Sequence, residues 1–226
     1  MKNALVIGSK GSIGEAIVET LKGDYKVNEL SRDNCDYSEQ QMRAHASELS
    51  QLGSFDLIIC CIGVLHNQVL SPEKRLAELD AEKLLEYYRI NAVLPGMCLK
   101  IFTSLLKRAS GDRGSAKFVV LSAMVGSIDD NSLGGWYGYR SSKAALNMLL
   151  KTASIEVARM NKRAVLVAMH PGTTIGPLSK PFASSVSKDK YYSPQQSAKR
   201  IVAVAESLTP KSTGSFLNWD GNTLSW

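Results

Sequence analysis

Tyr139 and Lys143 stand four residues apart, and this pair of residue types at this spacing is suited to acid–base catalysis. Residues four apart lie on one face of an α-helix, so both side chains can contact the same ligand. A phenol with an ordinary pKa near about 10 is a poor acid–base catalyst at neutral pH, and a neighbouring ammonium lowers that pKa. Because such pairs also arise by chance, the interpretation depends on where in the fold this one lies.

A glycine-rich turn near the N-terminus is a second candidate site. The stretch Gly8-Ser9-Lys10-Gly11-Ser12-Ile13-Gly14 follows an apolar segment and opens a helical one. Glycines let the backbone approach a pyrophosphate closely, and a helix N-terminus offers unpaired N–H groups and the positive end of a dipole. We therefore predict a dinucleotide site here. Its predicted phosphate-binding residues are Gly8, Ser9, Lys10, Ser12, Ile13 and Gly14.

The end of the second apolar segment indicates which dinucleotide is bound. Many NAD enzymes carry an acidic residue there for the ribose hydroxyls, whereas this chain has Arg32. A guanidinium can grip a 2′-phosphate through its planar fork. Arg32, together with Lys10 in the glycine loop, favours NADP over NAD. Asp33 is one residue away, and a solvated surface arginine is the alternative interpretation of Arg32.

The elements that must position these two sites alternate along the whole chain. Predicted strands cover residues 4–7, 25–30, 55–61, 117–122, 164–170 and 215–219, and predicted helices cover 12–22, 39–52, 80–107, 137–160 and 194–208. Four of the strands are near-continuous runs of Val, Ile and Leu, which is typical of strands buried on both faces of a parallel sheet. We predict an α/β fold, a single doubly wound Rossmann-type domain over residues 1–226.

Three irregular segments each follow a predicted strand, at residues 63–79, 127–135 and 171–192. In open α/β sheets the loops at the carboxyl ends of the strands carry the ligand. The three segments should therefore surround one crevice, and the glycine loop and Tyr139 should face it.

Composition limits the other classes of function. The 226 residues are 44% hydrophobic and 21% charged, which suits a globular protein with an ample core and excludes a disordered chain. The net charge of +6 favours an anionic partner, and a phosphate-bearing cofactor would suffice without nucleic acid.

No apolar run approaches the roughly 20 residues of a membrane span, and the first apolar stretch is too short for a signal peptide. The four cysteines show no metal-ligand spacing, so we expect no metal site and a reduced, cytoplasmic protein.

In combination, these motifs resemble the short-chain dehydrogenase/reductase family over essentially the whole chain. The glycine loop, Gly63, Asn91, a strand ending at Ser122, the Tyr139–Lys143 pair and Pro171-Gly172 come in the order of that family. The stretches 137–147 and 170–173 are most similar to its C-factor-like and carbonyl-reductase-like branch. The resemblance implies an NADPH-dependent reductase of a small carbonyl compound, active as a homodimer or homotetramer.

The resemblance also implies roles for individual residues. Tyr139 would donate a proton to the carbonyl oxygen, and Lys143 would hold the nicotinamide ribose and lower the tyrosine pKa. Asn91 would keep a water-linked proton path to that lysine, and loop 171–192, with Ser179, Lys180 and Pro181, would close over the substrate. Further cofactor contacts are implied for Asp36, Gly63, Asn91, Tyr139, Pro171, Gly172 and Thr173.

Two departures concern single residues. Ser12 stands where the family usually has its second glycine, and Ala123 stands where it has the serine that polarises the carbonyl. Either Ser122 takes over that role, or Ser127 does, or the hydroxyl is absent. A missing hydroxyl would favour a second hypothesis, a dinucleotide-binding signalling or sensor protein with little turnover, because the C-factor is a developmental signal. The sequence does not identify the substrate or the direction of the reaction.

A third departure shortens the fold. Only Asp33, Asn34 and Cys35 separate Arg32 from Asp36, where relatives place a helix and a strand. We therefore predict that both elements are missing or vestigial. The sheet would then have about six main strands, with the second strand near its edge.

Overall fold

A parallel sheet organises the part of the chain that the structure, a computed structural model, describes: residues 1–106, 114–176 and 191–226. The strands in chain order are β1 (Lys2–Ile7), β2 (Tyr25–Leu30), β3 (Leu57–Cys60), β4 (Ala116–Leu121), β5 (Ala164–Met169), β6 (Thr173–Thr174), β7 (Tyr191–Tyr192) and β8 (Phe216–Leu217). Six of them form one sheet in the order β2-β1-β3-β4-β5-β8, and every neighbouring pair is parallel. This confirms the predicted doubly wound α/β fold.

Helices cover both faces of this sheet. They are α1 (Ser12–Leu21), α2 (Glu39–Gln51), α3 (Ala81–Tyr88), α4 (Leu94–Phe102), α5 (Tyr137–Met160) and α6 (Pro194–Ser207). In β4, Val119 belongs to the apolar cluster of α1 and α6, whereas Phe118 and Val120 belong to that of α2, α4 and α5. Burial on both faces explains why the strands are apolar at successive positions. Within the described ranges, no helix combines the length and apolar character that crossing a bilayer requires.

The single helix predicted over residues 80–107 is broken in the structure. A π-helical turn, Arg89–Val93, separates α3 from α4, and in it the Leu94 N–H bonds to the Arg89 carbonyl. Pro95 has no N–H, so it cannot form the α-helical bond to the carbonyl of Asn91. The prediction of one continuous helix is therefore wrong. The interruption falls at a predicted site residue, as such turns often do.

The segment between β2 and α2 confirms the predicted deletion. Residues 31–38 form a short turn in which the Asn34 side chain accepts the Ser31 N–H at 2.8 Å. The Ser38 hydroxyl accepts the Gln41 N–H and so caps α2. No helix or strand lies between β2 and α2, and β2 is the first strand of the sheet order.

The segment predicted as irregular over residues 171–192 contains a short ribbon. β6 and β7 pair in parallel, with Thr173 opposite Tyr191 and Thr174 opposite Tyr192. Residues 177–190 lie outside the described residues, and with them Ser179, Lys180 and Pro181 of the predicted substrate loop.

Candidate active site

The predicted site residues converge on the edge of the sheet where the parallel strands end. Gly8 follows β1, Gly63 comes shortly after β3, Ser122 follows β4, and Pro171 comes shortly after β5. β1 and β3 are neighbours in the sheet although β2 lies between them in the chain. Ligands of open α/β sheets bind at such a reversal of strand order.

The glycine loop forms a cradle that requires glycine at two points. Gly8 has a φ of +79°, and a Cβ on Gly14 would lie 2.3 Å from the Gly8 carbonyl oxygen. No side chain caps α1, which begins at Ser12. Ser9 is fully buried, and its hydroxyl has no partner among the described residues. Unpaired N–H groups, the helix dipole and a buried hydroxyl without a partner together fit a phosphate group.

The two cations predicted for the cofactor are exposed, as is Asp36. Lys10 and Arg32 have no hydrogen bond or ion pair with the residues that the structure describes. Asp36 Oδ1 accepts the Ser38 N–H at 2.7 Å, and hydrogen bonds from Ser38 hold the pKa of that carboxyl below its usual range. Lys10 and Arg32 are therefore available to an anion, whereas Asp36 already stabilises the turn before α2.

The ring of Tyr139 is buried between two other aromatic side chains at the start of α5. Only 8% of Tyr139 is exposed, and its ring centroid lies 6.5 Å from that of Tyr87 and 6.3 Å from that of Trp136, edge-on in both cases. Burial raises the pKa of Tyr139 above its ordinary value. The phenol therefore keeps its proton at neutral pH.

Lys143 lies one helical turn after Tyr139 and is only 3% exposed. Its Nζ donates to the Leu121 carbonyl at 3.1 Å, and burial lowers its pKa to about 8. The lowering of the Tyr139 pKa that we expected from Lys143 does not appear: the cause of the shift is burial of the phenol, which raises that pKa. At neutral pH both side chains are mainly protonated.

Gly63 lies against both Lys143 and Asn91. A Cβ on Gly63 would be 3.1 Å from Lys143 Nζ and 3.4 Å from Asn91 Oδ1, so a side chain there would crowd both polar groups. Asn91 Oδ1 accepts the Val64 N–H at 2.8 Å, and its Nδ2 donates to the Val64 carbonyl at 2.9 Å and to Ser142 Oγ at 3.1 Å. Asn91 thus ties the loop after β3 to α5.

The serine expected to polarise a carbonyl bonds to another side chain. Ser122 Oγ donates to Asn147 Oδ1 at 2.6 Å, and Ser127 donates its hydroxyl proton to the backbone oxygen of Trp226. Ala123 belongs to the apolar cluster that contains Tyr139. The hydrogen bond from Ser122 joins the end of β4 to α5, and the role of this serine in polarising a carbonyl stays a prediction.

Residues 171–173 pack against a cation between two rings. Gly172 has a φ of +79°, and a Cβ on it would lie 3.0 Å from Trp219 and 3.2 Å from Tyr192. The guanidinium of Arg200 lies 3.9 Å from the Tyr192 ring centroid and 4.1 Å from that of Trp219. These contacts hold the turn after β5 to α6 and β8.

The chain that follows this turn reaches the glycine loop. The Thr174 and Ser197 hydroxyls hydrogen-bond at 2.7 Å, which ties β6 to α6. A Cβ on Gly176 would lie 3.1 Å from Ser12 Oγ. Ser12, the residue at the unusual position of the loop, therefore lies directly beside this segment.

Sequence reasoning missed several residues that build the site: Glu73, Tyr87, Ser142, Asn147 and Arg200. Asn147 lies one helical turn after Lys143, so helical spacing could have paired it with the end of β4. No spacing in the sequence indicates the role of Glu73, because its side chain bonds to the Gly138 N–H, which is 65 residues away along the chain.

Comparisons with known proteins identify similar sequences and similar folds. Residues 31–186 match the family profile described as short chain dehydrogenase. The chain is 27% identical over 243 residues to 1-hydroxy-2-glutathionyl-2-methyl-3-butene dehydrogenase of Rhodococcus sp. (strain AD45), with 100% of both chains covered. It is 28% identical over 152 residues to C-signal of Myxococcus xanthus, covering 67% of this chain and 83% of that one. Its fold is similar to that of NADPH-bound carbonyl reductase from chicken fatty liver, with a TM-score of 0.80, 22% identity, and 100% and 94% of the two chains covered.

Proposed function

This chain belongs to the short-chain dehydrogenase/reductase family, and on that premise we propose that it is an NADPH-dependent reductase of a small carbonyl compound. The family match over residues 31–186 spans more than half of the chain, and the family consists of NAD(P)-dependent oxidoreductases. One observation carries the proposal. A protonated Tyr139 lies one helical turn from Lys143, and Gly63 lies against both Lys143 and Asn91.

The glycine loop fits a dinucleotide, which supplies the hydride for the reduction when it is bound. Gly8, Gly14 and the uncapped start of α1 would hold the pyrophosphate, because they offer close backbone approach and unpaired N–H groups. The other residues that would border the cofactor are Ser9, Lys10, Ser12, Ile13, Arg32, Asp36, Gly63, Pro171, Gly172 and Thr173.

Tyr139 would donate the proton that the reduced carbonyl oxygen takes up. The phenol holds a proton at neutral pH, so Tyr139 can give that proton to the carbonyl oxygen. The Lys143 ammonium would stabilise the phenolate left after the transfer. Asn91 would hold the loop after β3 so that Lys143 Nζ can be reprotonated from solvent.

The experiment that tests this function is NADPH oxidation against a panel of aldehydes, ketones and quinones, repeated with NADH. We expect turnover of at least one carbonyl class. If purified protein binds NADPH but reduces none of the panel, the reductase proposal is wrong and the signalling alternative gains.

Replacement of Arg32 should change the choice of cofactor. Arg32→Ala is expected to raise KM for NADPH by about tenfold or more and to leave KM for NADH nearly unchanged, because only NADPH carries the 2′-phosphate. Arg43→Ala is a matched control, since the Arg43 guanidinium is exposed and already pairs with Glu39. A wild-type preference for NADH would overturn the assignment of NADP.

The lack of a hydroxyl at Ala123 should limit kcat. Ala123→Ser would place a hydroxyl in the cluster of Tyr139, and we expect kcat to rise by about tenfold, since one such donor is commonly worth 100-fold or more where it is native. Ser122→Ala should leave kcat within about threefold and lower Tm, because it removes the bond to Asn147. A loss of activity in Ser122→Ala with Tm unchanged would instead assign the carbonyl-polarising role to Ser122.

The second candidate is a dinucleotide-binding signalling or sensor protein with little turnover. Two observations favour it: the similarity to C-signal of Myxococcus xanthus, and Ala123 where the family has a catalytic serine. The buried Tyr139, Lys143 and Asn91 favour the enzyme. The carbonyl panel separates the two candidates.

The proposal extends to assembly and location. Large apolar side chains are exposed on α5 and in the π-helical turn before α4, and a second copy of the chain would cover them in a homodimer or homotetramer. They include Val93, Met148, Leu149 and Ile155. Light scattering would measure the mass of the assembly, and a monomer would contradict the proposed oligomer.

A cytoplasmic location, which we also propose, accords with four cysteines that are free thiols.

A further inference from the structure

Glu73 is a buried carboxylate in the loop between β3 and α3. Only 3% of the residue is exposed. Its carbonyl oxygen accepts the Trp136 N–H at 2.5 Å, and its side-chain Oε2 accepts the Gly138 N–H at 3.1 Å. One residue thus bonds twice to the start of α5, the helix that carries Tyr139.

The start of α5 needs these bonds because it lacks a cap of its own. The N-cap residue, Trp136, has a φ of +53° and a ψ of +43°, and no side chain in the helix accepts its first N–H groups. The left-handed conformation is strained for a bulky residue and persists only where the surroundings enforce it. Glu73 supplies both acceptors, and its charge complements the helix dipole.

The side chain of Glu73 also shapes the space around Tyr139. A Cβ on Gly138 would lie 2.4 Å from the Tyr87 ring and 2.9 Å from Glu73 Oε1. Tyr87 donates its hydroxyl proton to the Leu65 carbonyl at 2.7 Å, which holds its ring in place. Glu73 therefore fixes Trp136 and packs near Tyr87, and these are the two rings that contact Tyr139.

The burial of the Glu73 side chain is energetically unfavourable in one respect. Its Oε1 is buried and has no hydrogen-bond partner among the residues that the structure describes. A buried carboxylate oxygen without a donor is unfavourable, so its contacts with the start of α5 must offset that loss.

We propose that Glu73 is a positioning residue that holds Trp136 in its left-handed conformation and so sets the place of Tyr139. The bond from the Gly138 N–H to Oε2 is the contact through which the side chain acts. The effect on turnover rests on the proposed function, whereas the effect on the helix start does not.

Three variants separate the reach of the side chain from its charge. Glu73→Ala removes the acceptor, Glu73→Asp keeps the charge but is too short to reach the Gly138 N–H, and Glu73→Gln keeps an acceptor oxygen at the same reach without charge. Glu156→Ala, at an exposed position on the same helix, is the control. Hydrogen exchange at the amides of residues 136–140 is measured in each, together with kcat and the KM for NADPH.

We expect Glu73→Ala and Glu73→Asp to speed exchange of the Gly138 amide by about tenfold or more, since a lost cap frees the first turn. The same two variants should lower kcat by about tenfold or more at a nearly unchanged KM for NADPH, because small displacements of a reacting group are costly. Glu73→Gln should restore both readouts to within about threefold of wild type by the same reasoning.

Two outcomes would overturn the proposal. Unchanged exchange of the Gly138 amide in folded Glu73→Asp would show that Oε2 does not hold the helix start. Faster exchange with unchanged kcat would show that the place of Tyr139 does not depend on it. If the wild-type protein has no turnover, the reductase proposal fails, and the exchange data alone decide the role of Glu73.

Discussion

Tyr139→Phe is expected to lower kcat by roughly 10³-fold, within the range that a positioned proton donor contributes. The substitution removes one oxygen atom, and that hydroxyl makes no hydrogen bond with the described residues. The ring contacts with Tyr87 and Trp136 do not involve the hydroxyl, so the folded structure should be retained. The affinity for NADPH should change by less than about threefold, because the glycine loop is a separate part of the site.

The matched control is Tyr137→Phe, the same chemical change two residues earlier in α5. It should leave kcat nearly unchanged. Steady-state kinetics and cofactor titration by fluorescence measure both variants. Full activity in Tyr139→Phe would exclude this tyrosine as the proton donor and would leave the proposed mechanism without a source for the proton.

Lys143→Met should remove turnover and yet raise the stability of the ligand-free protein at neutral pH. Burial lowers the pKa of Lys143 from 10.5 to about 8, so the folded protein holds the charged ammonium at a penalty. That penalty is on the order of 3 kcal/mol at pH 7, against about 1 kcal/mol for the lost bond to the Leu121 carbonyl. The variant should therefore unfold at a higher temperature than the wild type.

The sign of the pH dependence follows from the same shift in pKa. Between pH 8 and 10.5 the unfolded chain binds more protons at Lys143 than the folded chain does, so the wild type gains stability as pH rises through that window. The excess stability of Lys143→Met should be largest below pH 8 and shrink above it. Lys151→Met is the control, because Lys151 is an exposed lysine of α5 that also donates to a carbonyl, that of Gly214. A Tm of Lys143→Met below that of the wild type at pH 7 would contradict the prediction.

Most of the fold could be predicted because its signals are local. The strand over 25–30 and the helix over 137–160 have the bounds predicted for them, and the five other predicted strands differ by one or two residues at one or both ends. Apolar runs without alternation indicate strands covered on both faces, and the structure places them there. The broken helix over 80–107 was missed because apolar periodicity continues through Pro95, while the missing N–H of the proline changes the hydrogen bonding.

The location of the candidate site could be predicted from the sequence, but the hydrogen bonds and pKa shifts of its residues could not. Spacing along α5 located Tyr139 and Lys143, and glycine spacing located the phosphate cradle. Side-chain direction and desolvation depend on distant partners. The bond from Ser122 to Asn147 could not be read from the sequence, and the pKa of Tyr139 rises because residues far along the chain bury it. Glu73 could not be predicted for the same reason.

Among the residues that the structure describes, β2, which precedes the deletion, pairs with a neighbour on one side only. An unpaired strand edge is where one protein molecule can add to the sheet of another, which is the first step toward aggregation. The sequence of β2, Tyr-Lys-Val-Asn-Glu-Leu, places charged Lys26 and Glu29 and polar Asn28 along this edge. Docking of another strand there would remove water from these side chains. The polar residues of β2 therefore disfavour aggregation at the sheet edge that lies beside the deletion.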